Sequence, residues 1–162
     1  MTCINLQSRR NFCREIGNRS ITLNASSSLK NIRWQQRFEN FEKSFLFLKG
    51  GLAKSQLTPL EVGGVIKAFE MAFELAWKTL KDFIEFQGVD EKFPRDVIKK
   101  SFEFGIIENG HGWLNMLERR NQLAHTYDEQ VAVENVKVIR NSYFPLLEQV
   151  FLVLQAKVAE NL

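Results

Sequence analysis

The feature that most constrains this chain is one apolar stripe in its middle. Phe69, Ala72, Phe73, Ala76, Trp77, Leu80 and Ile84 recur in steps of three and four, which places them on one face of an α-helix and scatters them over both faces of a strand. The segment Thr58-Pro59-Leu60-Glu61 precedes the stripe. Thr58 suits an N-cap, Pro59 the first helical position and Glu61 the reciprocal partner three residues on, so a helix is expected from here to Gly88. Glu74, Lys78 and Asp82 fall at i, i+4 spacing off the stripe and read as its outer, solvated side.

The same period appears elsewhere. Trp34, Phe38, Phe41, Phe45, Leu48 and Leu52 predict a helix from about Leu29 to Lys54. Phe93-Pro94-Arg95-Asp96 opens a short third helix that stops near Gly105. A fourth begins around Gly110-His111 with Trp113, Leu117, Arg120 and Ala124 on one side. A fifth starts after Asp128 and continues towards the C-terminus, with a kink expected at Pro145 and a seam of Leu146, Val150, Leu154 and Val158. No segment reads as a strand, and no repeat is visible. The expected fold is all-α: an antiparallel up-and-down helical bundle of four main helices plus a short one. The 14 Phe are then first of all core residues.

Charge divides the chain. The net charge of +3 is carried by residues 1–28, where Arg9, Arg10, Arg14 and Arg19 face only Glu15. From Leu29 on, 18 basic residues meet 18 acidic ones. Residues 1–28 lack sustained periodicity, end in Asn24-Ala25-Ser26-Ser27-Ser28, and are expected to be a flexible N-terminal extension to a domain spanning 29–162. An organellar targeting segment is the alternative for an Arg-rich, acid-poor start. Both cysteines, Cys3 and Cys13, lie in this stretch, and no disulfide framework is suggested. No apolar run has transmembrane length, so no membrane is expected and a cytoplasmic location is the default. A neutral body requires any nucleic-acid binding to use a local patch.

Chemistry is most legible between Glu118 and Asp128. Arg120 shares a spacing with Trp113 and Leu117, so it should turn towards the packed side, where a guanidinium needs a carboxylate or phosphate. His125 lies five residues later, about 140° round a straight helix. The two converge if the helix unwinds around Ala124–Thr126 or if a second copy supplies one of them. The plain alternative has Arg120 pairing with a buried Glu, His125 capping a helix and Tyr127 packing at a rim. His111, between Gly110 and Gly112, reads as a helix-start residue. The two histidines are far apart and lack Cys or paired acidic neighbours, so no metal site is expected and no cofactor is implied. Glu70 and Glu74 lack the Glu-x-x-His partners of a di-iron site. Gly50-Gly51 and Gly63-Gly64 fit no phosphate-binding pattern.

Two segments, Phe73-Glu74-Leu75-Ala76-Trp77-Lys78-Thr79-Leu80-Lys81 and Arg120-Asn121 through His125-Thr126-Tyr127-Asp128-Glu129, resemble the HepT-type HEPN proteins, also called nucleotidyltransferase substrate-binding proteins. The resemblance covers roughly residues 29–160. The HEPN motif is Arg, four to six residues of which the first is polar, then His; Arg120, Asn121 and His125 match it. The HepT variant adds Tyr two residues after His, and Tyr127 matches. The resemblance implies a homodimer with the motif at its interface and metal-independent ribonuclease activity, with Arg120, Asn121 and His125 as catalytic residues. It also implies a toxin–antitoxin pair, in which a cognate small nucleotidyltransferase attaches AMP to Tyr127. Two other readings stay open: a non-catalytic substrate-binding subunit of that transferase, and a motif that only stabilises a dimer.

The chemistry of the residue types is compatible with RNA cleavage. Arg120 is always charged and can grip phosphate through two N–H groups. His125 can move protons near neutral pH. Asn121 can orient the phosphate or a 2′-hydroxyl. An adenylyl group on Tyr127 would bring bulk and negative charge into the same cleft.

Overall fold

The computed structural model describes the backbone of residues 6–123 and 129–160, and the side chains of residues 27–123 and 130–160. Its helices are α1 (Leu6–Leu52), α2 (Pro59–Phe86), α3 (Pro94–Glu103), α4 (Gly110–Leu123), α5 (Glu129–Val138) and α6 (Phe144–Glu160). A π-helical turn, Ile139–Tyr143, joins α5 to α6. The described residues contain no strand, and the fold is all-α as expected.

Helix α2 is the central element, and its stripe is buried along its length: Phe69, Ala72, Phe73, Ala76 and Leu80 are fully enclosed. Its start is fixed by the capping box. Thr58 Oγ1 accepts the Glu61 N–H at 3.3 Å, and Glu61 Oε2 accepts the Thr58 N–H at 2.9 Å. Its end is fixed by Gly88, which turns the chain at a φ of +95° that a side chain would resist.

Helix α1 runs antiparallel to α2. Arg33 of α1 meets Asp82 and Glu85 near the end of α2, while Lys54, just past α1, meets Glu61 at its beginning. The backbone helix starts 23 residues before the expected Leu29, because Ser and Asn lower helix propensity without interrupting the ladder as Pro would. The packed face nevertheless begins where the apolar period begins, at Trp34. Helix α6 lies antiparallel to α1: Phe38 stacks on Phe151 with centroids 5.6 Å apart, and Phe45 on Phe144 at 5.1 Å. The buried rings among them, Phe38, Phe45 and Phe151, each contribute on the order of 2–3 kcal/mol through burial alone.

The irregularity expected at Pro145 takes the form of the π-helical turn Ile139–Tyr143 just before it. Pro145 has no N–H to continue the α pattern, and the Phe144 N–H bonds to the Ile139 carbonyl five residues back. The seam beyond it is as expected, with Val150 and Leu154 fully buried and Leu146 and Val158 packed against the core. The expectation for the outer side of α2 fails in part. Asp82 is not on a solvated ladder with Glu74 and Lys78; it is 3% exposed, because Arg33 and Arg37 of α1 cross over that end of α2. Among the described residues no helix is long and apolar enough to cross a membrane.

Candidate functional site

Helix α4 positions the candidate arginine. Its packed side is set by Trp113 and Met116, both fully buried, with the Trp113 ring 5.7 Å from that of Phe73 on α2. Arg120 lies two turns beyond Trp113, in the last turn of α4, where a cation is favoured by the helix dipole. Leu123 one turn on is still buried in the core, but the Arg120 side chain emerges half-exposed beside the outer face of α2.

Its partner on that face is Glu74. Arg120 Nη2 donates to Glu74 Oε2 at 3.0 Å, and Arg120 Nη1 donates to Asn121 Oδ1 at 3.2 Å. Glu74 is itself held from two further sides: the Trp77 indole N–H donates to Oε2 at 3.0 Å, and Lys78 Nζ lies 2.8 Å from Oε1. Partial burial works against the Glu74 carboxylate. The hydrogen bonds from Lys78 and Trp77 and the charges of Lys78 and Arg120 outweigh it, and its pKa falls below the usual carboxylate value. One carboxylate therefore organises two cations and an indole.

The cluster borders an open groove of about 320 Å³ lined by Lys67, Glu70, Met71, Glu74, Leu75 and Arg120. Glu70 is paired with Lys67 at 2.9 Å. With that pair neutral, and Glu74 offset by Lys78, the groove retains the positive charge of Arg120. A guanidinium has five N–H donors, of which two are engaged by described residues. The others meet no acceptor among the described residues.

Of the residues singled out in the sequence, Arg120 and Asn121 are thus placed together at the end of α4. His125 and Tyr127 lie between Leu123 and Glu129, outside the described residues. His111 stands in the first turn of α4, exposed and away from the Arg120 groove. The expected carboxylate partner of Arg120 exists, but it is half-exposed rather than buried. Sequence reasoning assigns Glu74 to the solvated side and gives it no role towards Arg120. A signal is present: Trp77 and Lys78 follow Glu74 at i+3 and i+4, so one helical face carries an acceptor with two donors above it. No group of three or more His, Cys, Asp or Glu able to hold a metal occurs among the described residues.

The family described as nucleotidyltransferase substrate binding protein like matches residues 36–156. A Haemophilus influenzae protein described as a probable ribonuclease HepT is 29% identical over 77 residues, which is 44% of this chain and 53% of that protein. The chain thus spans about half the length of this curated relative. A protein from Thermus thermophilus, known from its crystal structure, is 31% identical with a TM-score of 0.63, over 68% of this chain and 94% of that one. The chain belongs to the nucleotidyltransferase substrate-binding family, the HepT-like HEPN proteins.

Proposed function

We propose that this chain is the toxin of a cytoplasmic toxin–antitoxin pair. It is a homodimeric, metal-independent ribonuclease, silenced when a cognate small nucleotidyltransferase adds AMP to Tyr127. The observation that carries this reading is Arg120. It sits half-exposed over a groove, held by Glu74 and Asn121, with donors to spare, five residues before His125 and seven before Tyr127. The description of the Haemophilus relative as a probable ribonuclease HepT supports it.

In this reading the ribose 2′-oxygen attacks the neighbouring phosphorus and the bond to the 5′-oxygen breaks, leaving a 2′,3′-cyclic phosphate and a 5′-hydroxyl. One proton leaves the 2′-hydroxyl and one reaches the 5′-oxygen, and His125 serves that transfer. Arg120 stabilises the charge that gathers on the phosphorane oxygens. Asn121 orients the phosphate. Two copies brought together double the positive charge in one cleft. Silencing is attack of the Tyr127 hydroxyl on the α-phosphorus of ATP held by the transferase, with pyrophosphate leaving. The attached group then fills the cleft and repels RNA.

A second reading is favoured by a specific observation: Arg120 already has a carboxylate partner at 3.0 Å, as a purely structural arginine would. In that case the chain is a non-catalytic subunit that presents a substrate, or its own Tyr127, to the transferase. The test is incubation of the purified chain with single-stranded RNA in EDTA, with and without the transferase and ATP. Cleavage that is lost in Arg120→Ala, and lost again on Tyr127 labelling, is expected. The Tyr127→Phe variant should keep cutting and escape silencing. Labelling of Tyr127 without any cleavage by the unlabelled chain overturns the ribonuclease reading in favour of the subunit.

A further inference from the structure

We infer that Glu74 is a positioning residue for Arg120, and that Lys78 acts as the counter-charge that lets Glu74 hold the guanidinium without neutralising the groove. The inference deepens the ribonuclease reading and, in its kinetic part, rests on it.

The geometry separates the jobs of the three partners. Glu74 presents two oxygens. Oε1 is 2.8 Å from Lys78 Nζ, and Oε2 is shared by the Trp77 indole N–H and Arg120 Nη2, each at 3.0 Å. Trp77 is buried and lies on the core side of α2, so its N–H is a fixed point. It pins the carboxylate in one rotamer, and the carboxylate pins one edge of the guanidinium. Without this chain of contacts Arg120 would be a long side chain at a helix end, with its full rotamer freedom. A phosphate would have to order it at the moment of binding or reaction.

An arginine paired only with a glutamate would carry little net charge and would attract phosphate poorly. Here the cluster of Glu74, Lys78 and Arg120 keeps a net charge of one positive unit. Lys78 sits on the Oε1 side, away from the oxygen that meets Arg120. The ion pair therefore orients the guanidinium without cancelling it. Nη1, held by the Asn121 side chain, completes the plane. A planar donor fork fixed at two of its corners is the form that suits bidentate phosphate recognition.

This assignment predicts a division of effects. Removing the Glu74 charge should loosen Arg120 and lower kcat; removing the Lys78 charge should weaken RNA attraction and raise KM. The experiment has two arms on the full chain. In the first, nitrogen NMR of the Arg120 guanidinium, assigned by its loss in Arg120→Lys, reads rotation about the guanidinium bonds without any RNA. Slow rotation is expected in the wild type and in Lys78→Met, and fast rotation in Glu74→Gln. An unchanged Arg120 signal in Glu74→Gln overturns the inference. In the second arm, cleavage by Glu74→Gln should fall by about ten- to a hundredfold in kcat, with KM changed less than about threefold. Glu74→Asp, which restores the charge, should recover part of the loss. Lys78→Met should show the converse split. A wild-type kcat in Glu74→Gln also overturns the inference. If Glu74→Gln does not fold, Glu74→Ala and Trp77→Phe replace it in both arms, and unchanged guanidinium rotation in both has the same consequence. Should the wild type cut no RNA, the functional reading fails alone, and the NMR arm still decides the role of Glu74.

Discussion

Helix α2 carries three carboxylates that meet arginines from other helices, Asp82 and Glu85 towards its end and Glu74 near its middle, and the meetings of Asp82 and Glu74 differ in kind. Asp82 is 3% exposed and sits between Arg33 and Arg37 of α1. Arg37 Nε approaches its Oδ2 to 2.6 Å, a close charge contact rather than an aligned hydrogen bond. Both cations come from one helix, so this cluster fastens α1 to α2. Glu74, two turns earlier, is half-exposed and joins α2 to the very end of α4, beside an open groove. Among the described residues its arginine spends one N–H on this carboxylate and one on Asn121. A carboxylate wrapped by arginines is a fastening. A carboxylate that holds one edge of an arginine at a groove is a mount for something else.

The largest difference between the two clusters is expected in activity. Arg120→Ala and His125→Ala should each reduce RNA cleavage by at least about a hundredfold in single-turnover assays, while their thermal melts stay close to wild type. Equal loss of stability in Arg120→Ala would move Arg120 into the fastening class. Next comes stability. Asp82→Ala should cost about 1–3 kcal/mol in urea unfolding, since it takes the carboxylate from Arg37 and leaves Arg33 with Glu85 alone. Glu74→Ala should cost less than about 1 kcal/mol in the same measurement. Similar values for the two would dissolve the distinction.

Acid should act on the carboxylates with shifted ionisation. Glu61 is held down to about 2 by Lys54 and Thr58, and Glu74 is also lowered. A depressed folded-state pKa contributes stability that is present above the unfolded value and lost as pH falls through the folded one. The melting temperature should therefore drop between about pH 4.5 and about 2, and the drop should be shallower in Glu61→Gln. At neutral pH the Glu74 anchor is fully ionised. The smallest effect is expected at the N-terminus. We propose that residues 1–28 are dispensable for the fold, and deleting them should leave the melting temperature nearly unchanged. A large loss would show that the start of α1 is fastened to the bundle.

The apolar stripes, the Thr58 cap, Gly88 and the Leu146-to-Val158 seam were legible in the amino-acid sequence because each depends on residues within one helix. The failures depend on what passes overhead. The i, i+4 pattern of Glu74, Lys78 and Asp82 is the same along α2, yet α1 covers Asp82 and α4 only touches Glu74. Spacing within a helix carries no information about where a neighbour crosses it. The same limit explains Arg120: its need for an anion followed from its place beside Trp113, but the identity of the anion lay 46 residues away. The π-helical turn was only half legible. Pro145 announces an irregularity, while the five residues of the turn carry no marker of their own.

The indole of Trp77 has an optical consequence. Its N–H shares one carboxylate oxygen with Arg120, so it sits one bond away from the guanidinium that faces the groove. Trp34 and Trp113 are completely enclosed, and the Trp34 N–H is satisfied locally by Asn31. Their fluorescence should form a steady background, against which Trp77 emission reports any anion that pulls Arg120 away from Glu74. That emission would be readable without a label.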